Sequence, residues 1–516
     1  MRAIAHISVG LIIKSSITNM RTGFRGAVYV SFKPLVKAGG IVVDRDVGEV
    51  VHIGDDVEKF ADEVVDLGGR VLMPGFIDAH MHLDELGLLL NSLDLRGVRS
   101  IDEFRARLKE YAERHDGPIF GHGWDHEAMG RWPTRRDIDD IVGDRPVFLS
   151  RVDSHAAVVN TYMLKELEGL RWRPEVFLTG PSGEPLGVIK EEAFEAYRAK
   201  FLSLIPRGQK RKSLIAAIDY ARNLGVTSVG FMSCSLESLY LLKELRDEGL
   251  LKIRVFVYLD KESFVKFLDS GGKFDGDEWL KVKGVKLFVD GSLGSRTALL
   301  SEPYADDPGN FGVQVASAEE LRRIAEMASE RGYQVAIHAI GDKAVDVAIG
   351  ALKGLRGLHR IEHCSVVRDD QLPALKGVAC VVQPHFVITD FWVVNRVGVG
   401  RARFVYRFRD LINSGVSVAF STDSPVEPLN PWRTVYAAVT RGLNEGVELA
   451  RYTTDQVLTV EEALHLYTKA PAEIMGEEKL GALSPGNKAD AIILDRDPLM
   501  VSPSQLVDIH TSPLSA

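Results

Sequence analysis

His80-Met81-His82 closes an apolar run that starts at Pro74-Gly75-Phe76-Ile77-Asp78. Side chains alternate along an extended strand, so His80, His82 and Asp78 share one face. Two imidazoles one strand repeat apart can reach a single divalent ion, although two ordinary core or surface histidines fit the same spacing. Three more apolar runs end in residues of this kind: His338 closes 334–338, His363 closes 360–363 and Asp423 closes 417–423. Five imidazole and carboxylate groups at the ends of four separate runs point to a divalent-metal centre. The remaining histidines, such as His6, His115, His359, His465 and His510, fall in helical or loop stretches and read as incidental.

Lys286 interrupts the apolar run Val285-Lys286-Leu287-Phe288-Val289. Desolvating an unpaired ammonium costs several kcal/mol, so such a residue has either a partner or a task. One reading is an ion pair with Asp290, four residues on and on the same face. The other is burial that depresses the lysine pKa, leaving an amine that combines with CO2 to give a carbamate, an anionic oxygen ligand. Spacing alone leaves both open.

These groups need a scaffold that brings strand ends together. Strand-like runs at 75–82, 227–232, 254–259, 284–290, 334–338, 360–363, 378–383 and 417–423 alternate with helical stretches, the pattern of a parallel sheet. A clear helix spans 317–331, where Ser317 and Glu320 have capping-box spacing. Eight such strands predict an α/β fold, a (β/α)8 TIM-like barrel over 74–476 with its site at the C-terminal strand ends. The gap after the first strand is too long for one helix, so an α/β insertion is expected at about 91–215, with strands at 119–121 and 147–151. Short runs at 28–32, 41–43, 50–53, 64–67 and 71–73, and another at 489–494, predict a small composite β-sandwich built from 23–73 plus 477–516. Residues 1–22 read as a leader or a misassigned start, with Met20 as the alternative first residue; the apolar core at 7–13 is too short for a signal peptide.

The chain has 516 residues, 45% apolar and 26% charged, a length that suggests two to four domains. With 63 Lys plus Arg against 72 Asp plus Glu, the net charge of −9 argues against a nucleic-acid partner. A mean hydropathy of −0.01 and the lack of a long apolar run argue against a membrane-spanning chain. Three cysteines, Cys234, Cys364 and Cys380, make no CxxC pair or disulfide framework and fit a cytoplasmic location. They read as spectators. The expected partner is a small-molecule substrate, and a homodimer is left open.

The segments PGFIDAHMH, GVKLFVDGSLGSRTALL, VAIHAIGDKAVD, RIEHCSVV, QPHF and FSTDSPVEP together resemble the amidohydrolase superfamily. GHGWDHE, RPVFLSRVDSHAAVVN and LGALSPGNKADAIILDRDP extend the likeness to its YtcJ-like branch, which includes N-substituted formamide deformylase. The resemblance covers about residues 26–498. It implies that His80, His82 and Asp423 hold one metal, that His338 and His363 hold a second, and that carboxylated Lys286 bridges them. One or two divalent ions are implied, Zn2+ first, with Fe, Mn or Co also suited to these ligands.

The implied chemistry is hydrolysis of a non-peptide C–N bond, in an N-substituted amide or formamide, by a metal-activated hydroxide. Asp423 would be the general base and then acid, and His385 of the QPHF segment would help polarise the carbonyl. Arg296, in the loop after the fourth strand, either grips a substrate carboxylate or pairs with an acidic neighbour. Trp124 and His155 of the insertion either line the pocket under a cover or pack within the insertion, and Phe391-Trp392 offers an apolar wall. Hydrolysis of a lactone or phosphotriester is the enzymatic alternative. A catalytically inactive metal-binding scaffold is the non-enzymatic one.

Overall fold

The computed structural model describes residues 20–152, 155–169 and 173–514. Eight strands form one all-parallel sheet: β1 Phe76–Met81, β2 Val226–Cys234, β3 Arg254–Leu259, β4 Leu280–Phe288, β5 Gln334–Ala339, β6 His359–His363, β7 Val378–Val382 and β8 Ser417–Phe420. Each strand pairs with the next in sequence order from β1 to β8. The two edges meet at their C-terminal ends, where Asp423 N–H donates to the His80 carbonyl and His82 N–H to the Ser424 carbonyl, both at 2.8 Å. This is a nearly closed TIM-like barrel. Its strands are buried almost throughout because helices cover the outside and side chains fill the lumen, which accounts for their continuous apolar character.

The helix Ala318–Glu330 between β4 and β5 begins as its sequence predicts, with Ser317 Oγ accepting from the Glu320 amide at 3.1 Å. The reciprocal half of a capping box is replaced by an ion pair: Lys261 Nζ donates to the Glu320 carboxylate at 2.7 Å.

Between the helices Leu83–Leu90 and Arg207–Asn223 lies a mixed six-stranded sheet of its own. Its strands, in spatial order, are Phe177–Thr179, Pro185–Lys190, Ala156–Val159, Val147–Arg151, Ile119–Trp124 and Leu93–Asp94. Trp124 belongs to the core of this unit and not to a pocket lining. It is fully buried among Leu95, Phe104, Leu108 and Ile138, and its Nε1–H donates to the Leu149 carbonyl at 2.8 Å. Trp124→Ala is expected to destabilise the insertion by about 3–5 kcal/mol, read as an earlier unfolding transition in denaturant.

Both ends of the chain contribute to a third sheet, with the order Thr511–Pro513, Ala491–Leu494, Glu63–Pro74, Arg21–Phe32, Leu35–Asp44, Glu49–Ile53. Hydrogen bonds join these six strands in one continuous sheet where two facing sheets were expected. Residues 21 and 22, grouped with the leader in the sequence reading, already belong to its first strand, while the apolar segment 3–17 lies outside the described residues. The sheet is fastened to the barrel by Arg254, whose Nε donates to Asp490 at 2.6 Å. Among the described residues no helix is long and apolar enough to cross a membrane.

Candidate metal centre

Every predicted ligand sits at the C-terminal end of a barrel strand. One ligand atom each from His80, His363 and Asp423 lies within 4.8 Å of the others. The Asp423 carboxylate is 3.2 Å from His80 Nε2 and 3.1 Å from His82 Nε2. The His338 and His363 rings lie 4.5 Å apart, and the His80 and His363 rings 5.1 Å. The structure therefore brings all five groups into one cluster, with Lys286 Nζ 3.3 Å from His80 Nε2.

Each imidazole is held by its second nitrogen. His80 Nδ1 meets the Glu362 carboxylate at 2.6 Å, His82 Nδ1 the Met232 carbonyl at 3.2 Å, and His338 Nε2 the Gly291 carbonyl at 3.0 Å. His363 Nδ1 meets Gln383 Oε1 at 2.8 Å; the Gln383 amide is oriented by its own donation to Ser421 Oγ at 2.8 Å. Acceptors on one nitrogen fix N–H there, so the other nitrogen of each ring is the one that gives a lone pair when the imidazole is neutral. Burial pushes His338 down to about 3, helped by the Lys286 ammonium, and holds His363 well below its ordinary value, helped by neighbouring His338. Oriented imidazoles, two of them held neutral by burial, beside a carboxylate are the donor set of a divalent transition metal, so these residues fit such an ion.

Asp423 remains ionised: burial opposes its charge, but His80 and His82 outweigh that and hold it well below the usual carboxylate range. His363 and Asp423 both adopt left-handed backbone, with φ of 77° and 58°, a conformation that β-carbon-bearing residues rarely take. Strain at two ligand positions belongs with a site whose side-chain directions are fixed by the fold.

The Lys286–Asp290 ion pair is not formed. Asp290 instead accepts backbone N–H groups from Leu299, Gly341 and Ile340 at 2.8, 2.9 and 3.1 Å. Lys286 is buried on the lumen side, 4.8 Å from the Phe288 ring centre, and burial lowers its ammonium to about 8. Asp78 shares the expected face but is not a ligand. It bolts β1 to the end of β8, accepting from Thr422 Oγ1 at 2.7 Å and Tyr467 OH at 2.9 Å.

Beneath the cluster lies an ion pair that sequence reading overlooked. Arg360 Nε and Nη2 donate to both oxygens of Glu362 at 2.5 and 2.8 Å, and Nη2 also donates to the Ala79 carbonyl at 2.7 Å. Neither residue has any solvent exposure. The signal was present in Arg360-Ile361-Glu362-His363, since two charges in a barrel strand pose the same question as Lys286. Gln383 and Glu427 were also missed. The Glu427 carboxylate holds His385 Nδ1 with one oxygen and accepts from Thr389 Oγ1 at 2.6 Å with the other.

The outer candidates divide. Arg296 pairs bidentately with Asp306, at 2.9 and 3.1 Å, and Arg396 binds the same carboxylate, so Arg296 is engaged within the loop and not presented to a substrate carboxylate. The acceptor ten residues on supplies the acidic neighbour. Trp392 is half-buried against the loop after β4: a β-carbon added to Gly294 would come within 3.3 Å of its ring. His155 is exposed at the start of the strand Ala156–Val159, its carbonyl accepting from Glu191 N–H.

Residues 63–512 match the sequence profile of the amidohydrolase family. The YtcJ protein of Bacillus subtilis (strain 168), which carries an amidohydrolase name, is 31% identical over 86% of this chain and 87% of its own length. N-substituted formamide deformylase of Arthrobacter pascens is 25% identical over 87% of this chain and 88% of its own. A crystal structure of an uncharacterized metal-dependent hydrolase from Pyrococcus horikoshii OT3 is 44% identical, covering 94% of this chain and 99% of that one with a TM-score of 0.86.

Proposed function

This chain belongs to the amidohydrolase family, and on that premise we propose that it is a metal-dependent hydrolase of non-peptide C–N bonds in N-substituted amides or formamides. The observation that carries the reading is the convergence of four imidazoles, each tied back by its second nitrogen, on Asp423 and Lys286. One or two divalent ions fit this donor set, Zn2+ first. When bound, such an ion lowers the pKa of a water toward neutrality and polarises the scissile carbonyl.

The protein's own groups do the rest. Asp423, ionised at neutral pH, accepts the proton released as the water attacks and returns it to the leaving amine. His385, held at Nδ1 by Glu427, donates to the carbonyl oxygen as negative charge develops there when its Nε2 also carries a hydrogen. Lys286, its amine brought within reach of the neutral form by burial, adds to CO2 with release of one proton and becomes a carbamate, an oxygen donor among nitrogen ligands. The choice of C–N bond rests on the 25% identity to N-substituted formamide deformylase.

The test is a panel of N-substituted formamides, other secondary amides, lactones and phosphotriesters, assayed with Zn2+-loaded protein. Hydrolysis of the formamides or amides that stops on chelation and returns with added Zn2+ is expected. Turnover of lactones or phosphotriesters alone contradicts the proposed substrate class.

A further inference from the structure

Two of the three cysteines come together behind the metal centre. The chain leaves β6 through two successive left-handed residues, His363 at φ 77° and Cys364 at φ 45°. That reversal brings the Cys364 amide back to the Glu362 carbonyl at 3.1 Å and its sulfur to 3.8 Å from the Ile361 carbonyl. Ile361 is the register partner of Cys380 on β7. The turn thus lays Cys364 beside Cys380, and the two Sγ atoms lie 2.9 Å apart. Sulfurs in ordinary non-bonded contact stay well beyond that separation, whereas a disulfide bond is about 2.05 Å long. Both side chains are buried, so the surrounding core keeps the pair from moving apart.

We propose that Cys364 and Cys380 form a disulfide that ties the ligand-bearing end of β6 to β7. A small disulfide is the oxidant. One cysteine thiolate attacks it and releases a small thiol; the second attacks the resulting mixed disulfide and releases the other. Two protein S–H groups give up their protons, one protein S–S bond forms, and the small disulfide is reduced to two thiols. Because neither sulfur is exposed, exchange takes place when β6 and β7 open locally, and the closed bond is then shielded from reductant. The link pins the backbone reversal that carries His363, which gives a pair of buried cysteines a structural task beside the metal centre. Cys234, buried at the end of β2, serves as the unpaired reference.

The experiment uses the full-length protein, equilibrated with hydroxyethyl disulfide below its melting temperature, then unfolded in excess iodoacetamide and weighed by mass spectrometry. The expected product carries one alkyl group, on Cys234, against three after prior reduction, with a reductant-sensitive peptide joining Cys364 to Cys380. Cys364→Ser and Cys380→Ser are each expected to leave two alkylated thiols and no cross-link. If either variant fails to fold, the wild-type mass and peptide map decide alone. Three alkyl groups on the oxidised wild type, or mixed disulfides on Cys364 and Cys380 without a link between them, overturn the proposal.

Discussion

Replacing Asp423 by Asn lowers turnover by about 10²-fold or more, the scale on which a positioned acid–base group contributes. Asn keeps the volume of the side chain and an oxygen toward His80 and His82, which lie 3.2 and 3.1 Å from the native carboxylate. It cannot take up the proton that Asp423, held ionised by those histidines, is placed to accept. The loss is expected in kcat more than in KM, since the group acts on the proton and not on substrate affinity. Steady-state kinetics together with metal analysis of the variant check this. Near-normal kcat with metal retained would remove Asp423 from its role.

The largest effect on the protein itself is expected from Glu362→Gln. The Arg360 guanidinium then sits inside the barrel without a counter-charge, a loss of about 3–5 kcal/mol for a broken buried pair. Burial opposes the charge on Glu362, and Arg360 and His80 together overcome it, so the carboxylate is ionised throughout the accessible pH range. The same substitution weakens the acceptor on His80 Nδ1. Loss of such outer partners typically costs about 10–100-fold in metal affinity. A double variant, Arg360→Met with Glu362→Leu, separates the two effects. Removing both charges recovers much of the stability, as apolar replacements of buried pairs commonly do, while metal affinity stays low. Denaturant unfolding and competition with a chromogenic chelator read them independently. Equal stability of the wild type and Glu362→Gln would contradict the buried-pair account.

The barrel strands were legible because buried parallel strands are apolar on both faces, and their ends because ligand-type residues stop those runs. The same logic applied to Lys286 left two alternatives, and only the backbone amides that Leu299, Ile340 and Gly341 direct at Asp290 decide against the ion pair. Partners that support a site from a distance leave little trace in sequence. Gln383 reaches His363 across strands, and Asp78 meets Tyr467 from 389 residues away. For Trp124 the sequence left a pocket wall and a packed core both open; the strand predicted at 119–121 runs on to Trp124, whose indole is buried and bonded to the Leu149 carbonyl. The cysteines were invisible as a pair because Cys364 reaches Cys380 only through a left-handed reversal that no pattern of residue types announces.

On the function proposed above, six side chains at the mouth of this barrel hold catalytic metal. Inductively coupled plasma mass spectrometry of the full-length protein, loaded with Zn2+ and dialysed, tests it most directly. One or two tightly held ions per chain are expected in the wild type. A His80→Ala, His363→Ala double variant whose circular dichroism is unchanged is expected to lose that metal. A wild type that retains no divalent ion, or a folded double variant that retains as much as the wild type, would contradict it.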